Sequence, residues 1–163
     1  MPARGCFSVL VGILLVACTA SSTGRLETSS SPSSPSPALA PRTCPTDLSR
    51  SLARSDVPGR AETLVPDGPT GLVVCNGHTR VVIEDELVTE LASLLNDLKH
   101  VPSGVEFACP IDLGPTYGLF FNYPDGGLVA VSVSSSGCRF ATNGKVSARV
   151  TRGLLAQIGS LLG

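Results

Sequence analysis

Few side chains in this sequence have the types and spacing that catalysis needs. It contains two histidines, His78 beside a predicted tight turn and His100 at a predicted helix end, and we expect both to be solvated. Ser134, Ser135 and Ser136 are consecutive, but no Gly-x-Ser-x-Gly, His-Glu-x-x-His, P-loop or dinucleotide motif accompanies them. We therefore predict no catalytic residue, no cofactor and no enzymatic activity. A hydrolase assembled from residues distant in sequence is the lesser alternative.

Metal and nucleic-acid binding are not indicated either. Cys75 and His78 have C-x-x-H spacing, but a tetrahedral zinc site needs a second pair of ligands. The acidic run Glu84–Glu86 fits the first turn of a helix, where carboxylates complement the helix dipole. The chain has 12 basic and 13 acidic residues, and the basic ones are scattered. It therefore lacks the basic patch that nucleic acid requires.

The chemistry that the sequence does indicate belongs to a cysteine near the N-terminus. Arg4 precedes an uncharged apolar run, Phe7–Val16, which is shorter than the about 20 residues that span a bilayer. The stretch Leu15–Cys18 closes this run and has the form of a lipobox, the cleavage and acylation signal of bacterial lipoproteins. We expect residues 1–17 to be a signal peptide and Cys18 to carry a thioether-linked lipid. An ordinary secretory leader is the alternative.

Residues 18–43 are predicted to be a lipidated N-terminus followed by a disordered linker. Ser, Thr, Pro and Ala dominate this stretch, so it has too little apolar surface to offset the entropy cost of ordering. Diacylglycerol on Cys18, with a further acyl chain such as palmitate on its amine, would anchor the chain stably. We therefore expect the protein at the outer face of the cell membrane.

Residues 44–163 are predicted to form one disulfide-bonded domain. An even set of cysteines in an exported domain is typical of disulfides, and four cysteines allow three connectivities. The segments Tyr117–Tyr123 and Leu128–Ser134 flank a strong turn signal at Pro124–Gly127. A hairpin centred on this turn brings Cys138 within reach of Cys109. We expect the bridges to be Cys109–Cys138 and Cys44–Cys75.

The hydrophobic patterns of this domain predict an α+β fold. Helical spacing of apolar residues predicts helices over Glu84–Leu98 and Arg149–Leu162. The predicted strands are Leu72–Cys75, Thr79–Ile83, Tyr117–Tyr123, Leu128–Ser134 and Gly137–Thr142. Val105–Ala108 is a candidate for a further short strand, and residues 45–69 are expected to be irregular. The result is an antiparallel sheet of about five strands with two helices on one face and two disulfides.

Aromatic residues concentrate in one predicted strand. Leu119, Phe121 and Tyr123 alternate with Phe120 and Asn122, so the two sets point to opposite faces of the sheet. One set must lie in the core. If the other face is open, Phe120 belongs to a stacking platform for a glycan or peptide, and if a helix covers that face, Phe120 is core.

From Cys75 onward the order of features is similar to that of the subtilisin-inhibitor-like family of secreted bacterial proteins. A strand ending in Cys75 is followed by an amphipathic helix, by Ala108-Cys109-Pro110, by a two-stranded region and by Gly137-Cys138. The resemblance implies a five-stranded antiparallel sheet with two helices and two disulfides. It also implies a protease-contact loop at Pro110, Ile111 and Asp112, with Ile111 presented to the protease. The chain likewise resembles small lipoproteins of actinobacteria, with their Cys-Pro, Gly-Cys and Asn-Gly pattern.

These patterns together predict a monomeric, lipid-anchored envelope protein without bound metal. Its domain is expected to be non-catalytic and to bind another envelope protein or a glycan. The resemblance supplies the alternative, a serine protease inhibitor of the subtilisin type.

Overall fold

The computed structural model describes residues 40–55, 57–102 and 104–163. The predicted signal peptide, Cys18 and residues 19–39 of the predicted linker lie outside the described residues. In chain order the elements are α1 (Leu48–Ala53), β1 (Gly71–Asn76), β2 (Thr79–Ile83), α2 (Leu87–Asn96), β3 (Thr116–Asn122), β4 (Leu128–Ser134), β5 (Phe140–Thr142), β6 (Ser147–Arg149) and α3 (Arg152–Leu162).

The strands form one antiparallel sheet in the order β2-β1-β3-β4-β5-β6. The two disulfides are Cys44–Cys75 and Cys109–Cys138. The predicted α+β class, the antiparallel sheet and the pairing of the cysteines are therefore confirmed. The sheet has one strand more than the expected five, and α1 is a third helix.

The β3–β4 hairpin forms around the turn that its residues predicted. Thr116 pairs with Ser134 at the open end. At the closed end the N–H of Gly126 donates to the carbonyl of Tyr123 at 2.9 Å, and the N–H of Tyr123 donates to the carbonyl of Gly127 at 3.0 Å. Gly126 has a φ of 83°, a left-handed conformation that glycine adopts without steric cost. The turn residues thus set the register of the whole hairpin.

The C-terminal helix is shorter than predicted because a strand precedes it. The helix expected from Arg149 begins only at Arg152, since residues 147–149 form β6 and pair with β5. Thr151 is also extended, and its hydroxyl accepts the N–H of Leu154 at 3.2 Å. This cap satisfies a helix donor that would otherwise lack a partner, so α3 begins at the next residue.

Two strand predictions around the second disulfide need correction. Residues 105–108 have no regular structure. The strand predicted over Gly137–Thr142 is reduced to its last three residues, β5. Gly137 and Arg139 have φ values of 59° and 48°, which lie outside the β region, so the strand begins only at Phe140.

One face of the sheet, called here the front face, carries the main core. Both α2 and α3 pack on it. Helix α2 begins at Leu87 rather than at Glu84, and the carboxylate of Asp85, in the turn before the helix, accepts the N–H of Leu87 at 2.9 Å. The largest buried side chains of this core are Leu64, Leu72, Leu91, Leu95, Leu119, Phe121 and Ile158.

The opposite face, called the back face, is covered by the N-terminal segment. This segment was expected to be irregular, but it contains α1, whose Leu48 and Leu52 pack against Val73 and Phe120. The two predicted helices, α2 and α3, do share the front face, and α1, which was not predicted, lies on the back face. Phe120 is 1% exposed, so it belongs to the core and not to a stacking platform. The Cys44–Cys75 bridge, with a Cα–Cα distance of 5.6 Å, joins the segment covalently to β1.

A fully buried asparagine connects the irregular segment after α1 to the sheet. The side chain of Asn143, in the β5–β6 turn, is 0% exposed. Its amide nitrogen donates to the carbonyls of Arg60, Thr63 and Leu64 at 3.0, 2.8 and 3.1 Å. Its amide oxygen accepts two N–H groups of its own turn at 2.9 and 2.8 Å. One side chain thus satisfies backbone groups that the irregular segment cannot pair by itself.

Arg60 extends this network to α1 and β4. Its guanidinium donates to the carbonyl of Asn143 and to the carbonyls of Leu52 and Ser55, at and just beyond the C-terminus of α1. A cation is favourable there because helix C-termini carry partial negative charge. The hydroxyl of Ser55 accepts the N–H of Ala130 in β4 at 3.1 Å. The network therefore links α1, the following segment, β4 and the β5–β6 turn.

We predict that Asn143→Ala lowers the free energy of unfolding by roughly 3 kcal/mol or more, because it leaves several buried backbone groups without partners. Urea denaturation measures this difference. The matched control is Asn76→Ala, since the side chain of Asn76 makes no hydrogen bond to the described residues. We expect the control to change the stability by about 0.5 kcal/mol or less. Equal effects of the two substitutions would contradict the assigned role of Asn143.

Candidate functional site

The predicted site residues Pro110, Ile111 and Asp112 lie in an exposed segment that enters β3. The segment Cys109–Gly114, called here the 109–114 loop, has no helix or strand. It lies at the open end of the β3–β4 hairpin, beside the residues that follow β4. The structure therefore brings the predicted loop against Ser134, the last residue of β4, and Ser136, to which the sequence analysis assigned no function.

The loop is attached at its start by the second disulfide. Cys109 and Cys138 have a Cα–Cα distance of 5.2 Å. The register of the hairpin continues past Ser134, since the N–H of Ser135 donates to the carbonyl of Pro115 at 3.2 Å. The residues after β4 thus run alongside the residues before β3. The geometric argument that paired Cys109 with Cys138 is confirmed.

Asp112 holds the middle of the loop to the residues after β4. Its carboxylate accepts hydrogen bonds from the hydroxyls of Ser134 and Ser136, and it also accepts the N–H of Gly114 at 3.3 Å. The hydroxyl of Ser136 in turn accepts the N–H of Gly114 at 2.7 Å. These bonds favour the ionised carboxylate, and those from Ser134 and then Ser136 hold the pKa of Asp112 below its ordinary value. A carboxylate with a lowered pKa is a poor general base, so the cluster suits positioning better than proton transfer.

Two glycines let the loop approach its support closely. A Cβ on Gly114 would lie 2.6 Å from the Oγ of Ser135 and 2.8 Å from atoms of Ser136. Gly137 has a φ of 59°, and a Cβ there would lie 3.1 Å from the carbonyl oxygen of Pro110. Side chains at either position would push the loop outward. Residues 134–138 therefore act as a surface against which the loop backbone rests.

The segment before the loop is held by aromatic packing. The rings of Phe107 and Phe140 have centroids 5.3 Å apart, and the guanidinium carbon of Arg149 lies 5.0 Å from the centroid of Phe107 and 5.8 Å from that of Phe140. Such tilted pairs and cation–π contacts are favourable beyond the area that they bury. The two rings also line an open cavity of about 570 Å³. The chain is thus attached on both sides of Cys109.

Large apolar side chains protrude from this restrained loop. Ile111 is 81% exposed and Leu113 is 88% exposed, while the carboxylate of Asp112 between them turns toward Ser134 and Ser136. This alternation is that of an extended segment. Sequence reasoning identified Ile111 from the resemblance and missed Leu113. The i, i+2 spacing of the two residues was the available signal.

The first described residues of the chain lie at the other end of the sheet. Ala40 packs against the back-face core and lines a surface cavity with Tyr123, Gly126 and Gly127 of the β3–β4 turn. The carbonyl of Pro41 accepts the Nε–H of Arg80 at 3.0 Å, so residues 40–43 run along the sheet toward Cys44. The β3 strand separates the two ends by about 20 Å. The chain therefore enters the domain at the end opposite the 109–114 loop.

The remaining chemical candidates stay apart. His78 follows Gly77 in the β1–β2 turn, and His100 forms a bridge with Ala148 at the β6 edge, on the other side of the sheet. Within residues 40–55, 57–102 and 104–163, no three His, Cys, Asp or Glu side chains are grouped as metal ligands. Among the helices of these same ranges, none is long and apolar enough to cross a bilayer.

Comparison of the chain with protein-family models, with curated proteins and with solved structures finds no match.

Proposed function

We propose that this chain is a lipid-anchored extracytoplasmic protein whose non-catalytic domain binds another envelope component through the 109–114 loop. The observation that carries the proposal is the exposure of Ile111 and Leu113 on a loop restrained by a disulfide and by the Asp112 hydrogen bonds. A soluble domain of this size gains nothing in stability from two exposed large apolar side chains. Their exposure on a restrained backbone is typical of a contact surface.

The placement of the tether supports this use of the loop. A lipid on Cys18 would draw the N-terminal side of the domain toward the membrane, and Ala40 lies at the end of the sheet opposite the loop. Because the predicted linker is flexible, such an arrangement leaves the 109–114 loop free to face away from the lipid surface. A partner in the envelope then meets the loop without displacing the anchor.

The energetics of the loop also support binding. Full burial of an isoleucine or leucine side chain contributes about 1.5–3 kcal/mol, so the two residues together supply a useful part of a binding free energy. Ordering a flexible segment on binding costs free energy, and a loop that is already restrained avoids most of that cost. The disulfide and the Asp112 contacts thus increase the affinity for a partner that binds the two exposed side chains, because less free energy is lost in ordering the loop.

The anchor is tested by Cys18→Ala. We expect this variant to lose lipid modification and to remain uncleaved or to enter the soluble fraction, because no thiol is left to carry the diacylglyceryl group. Fractionation of the envelope and mass spectrometry of the N-terminal peptide measure the change. Cys6→Ala, within the same leader, is the control and should be processed normally. Unchanged membrane retention and processing of the Cys18 variant would refute the lipoprotein assignment.

The contact loop is tested by site-specific photo-crosslinking in the intact envelope. A crosslinking side chain in place of Ile111 should give a discrete adduct, whereas one in place of Val82, which is 48% exposed on β2, should not. The adduct should weaken strongly in the Leu113→Ser background, because half of the apolar contact is lost. Equal adducts from both positions, or none from position 111, would contradict binding through this loop.

A serine protease inhibitor of the subtilisin type is the second candidate. It is favoured by the position of Ile111, which directly follows Cys109-Pro110 and protrudes from the restrained backbone. The carboxylate of Asp112 is engaged by Ser134 and Ser136, so its charge is directed away from an incoming protease. Binding of an uncut segment in a protease cleft requires an exposed and restrained loop.

This second candidate predicts stoichiometric inhibition of subtilisin by the unlipidated Cys18→Ala chain. Ile111→Leu should tighten the inhibition, since an unbranched side chain enters an apolar pocket more easily, and Ile111→Pro should abolish it without unfolding the domain. Titration of subtilisin activity measures both effects, with Val82→Leu as the control. If subtilisin keeps its full activity at micromolar concentrations of the chain, the inhibitor function is excluded. The crosslinking test of the first candidate is unaffected by that result.

A further inference from the structure

Asp112 differs from its neighbours in the loop in the direction that its side chain takes. Ile111 and Leu113 point into solvent, while the Asp112 carboxylate binds two hydroxyls on the other side of the hairpin opening. Both hydroxyls come from outside the loop, 22 and 24 residues later in the chain. The direction of Asp112 is therefore determined by a tertiary contact and not by the loop sequence.

We propose that Asp112 is the positioning residue of the 109–114 loop, and that by binding Ser134 and Ser136 it presents Ile111 and Leu113 as a pre-formed extended segment for an apolar peptide-binding cleft. This inference rests on the proposed use of the loop as the contact surface and names the kind of partner that fits it. Alternate residues of an extended segment lie about 7 Å apart. The complementary partner is a protein with two apolar pockets at that spacing.

The contacts of Asp112 are suited to this task because they fix a backbone position without burying it. The carboxylate accepts from Ser134, Ser136 and the N–H of Gly114, so residue 112 and the chain that follows it are restrained. Hydrogen bonds to an ionised acceptor are stronger than neutral ones. Rotation of the backbone at Asp112 would break them together and would turn Ile111 and Leu113 away from their outward direction.

The remaining supports of the loop do not fix this direction. The disulfide restrains Cys109, three residues before Asp112, and the Phe107 contacts lie farther back. Gly114 follows Leu113 and is free to adopt many conformations once its N–H is released. Without the Asp112 contacts, residues 110–113 would be an unrestrained segment between Cys109 and β3.

The test removes the two hydroxyls and leaves the loop sequence untouched. In the Ser134→Ala/Ser136→Ala chain we expect thermolysin to cut between residues 109 and 114 roughly tenfold faster than in the unmodified chain, the order of change that loss of such hydrogen bonds produces. Thermolysin is a metalloprotease that cuts before apolar residues, so its rate does not depend on inhibition of serine proteases. Mass spectrometry after reduction of the disulfide locates and times the cut.

Three further measurements separate positioning from general destabilisation. The double variant should lose no more global stability than these hydrogen bonds explain, about tenfold in the unfolding equilibrium constant measured in urea. Ser134→Thr/Ser136→Thr, which restores both hydroxyls, should restore slow cleavage. Asp125→Asn is the matched control, because Asp125 also accepts the N–H of a glycine two residues on, at 2.9 Å, but at the other end of the hairpin. It should leave cleavage of the 109–114 loop unchanged.

An unchanged cleavage rate in the double alanine variant would overturn the proposal. Faster cleavage that accompanies a much larger loss of global stability than this, or that Asp125→Asn reproduces, would overturn it as well. No partner takes part in this assay, so its failure differs from failure of the crosslinking test: a loop that is rigid but gives no adduct at position 111 refutes the binding function alone.

Discussion

The hydrogen bonds of Asn143 are the interaction on which the arrangement of this small domain depends. The segment between α1 and β1 has no regular structure, so its backbone groups need partners from elsewhere. Asn143 supplies them from the β5–β6 turn, and Arg60 joins the same network to the end of α1. Asn96 adds a second pair of bonds to Val65 from the front-face helix α2. Hydrogen bonds from polar side chains thus fix the segment between α1 and β1, which contributes Leu64 and Val65 to the core.

The two disulfides attach the other irregular segments to the sheet. Cys44–Cys75 holds the N-terminal segment on the back face, and Cys109–Cys138 holds the loop at the open end of the hairpin. Each closes a chain loop of similar length, with sequence separations of 31 and 29, and contributes roughly 3–4 kcal/mol by restricting the unfolded chain. The first described residues lie near the closed end of the β3–β4 hairpin, and the exposed 109–114 loop lies at its open end.

Local signals account for the parts of the fold that the sequence predicted. The β3–β4 hairpin follows from its turn residues and α2 from its leucine spacing, because both depend on neighbours a few positions apart. Strand β6 and helix α1 are three and six residues long, too short for periodicity to identify. β6 exists because β5 and residues 99–101 pair with it, and α1 exists because the back face buries Leu48 and Leu52.

The sequence by itself determined which residues form the exposed loop and how its cysteine is bridged, since turn position and strand register are local quantities. It did not determine which way the loop side chains point. Asp112 binds Ser134 and Ser136, more than 20 residues away, and Ile111 and Leu113 on either side of it are exposed. Only the folded hairpin brings these segments together, because a long-range contact depends on the path of the whole chain between its partners. The direction of the Asp112 side chain in the 109–114 loop was therefore decided by the tertiary structure.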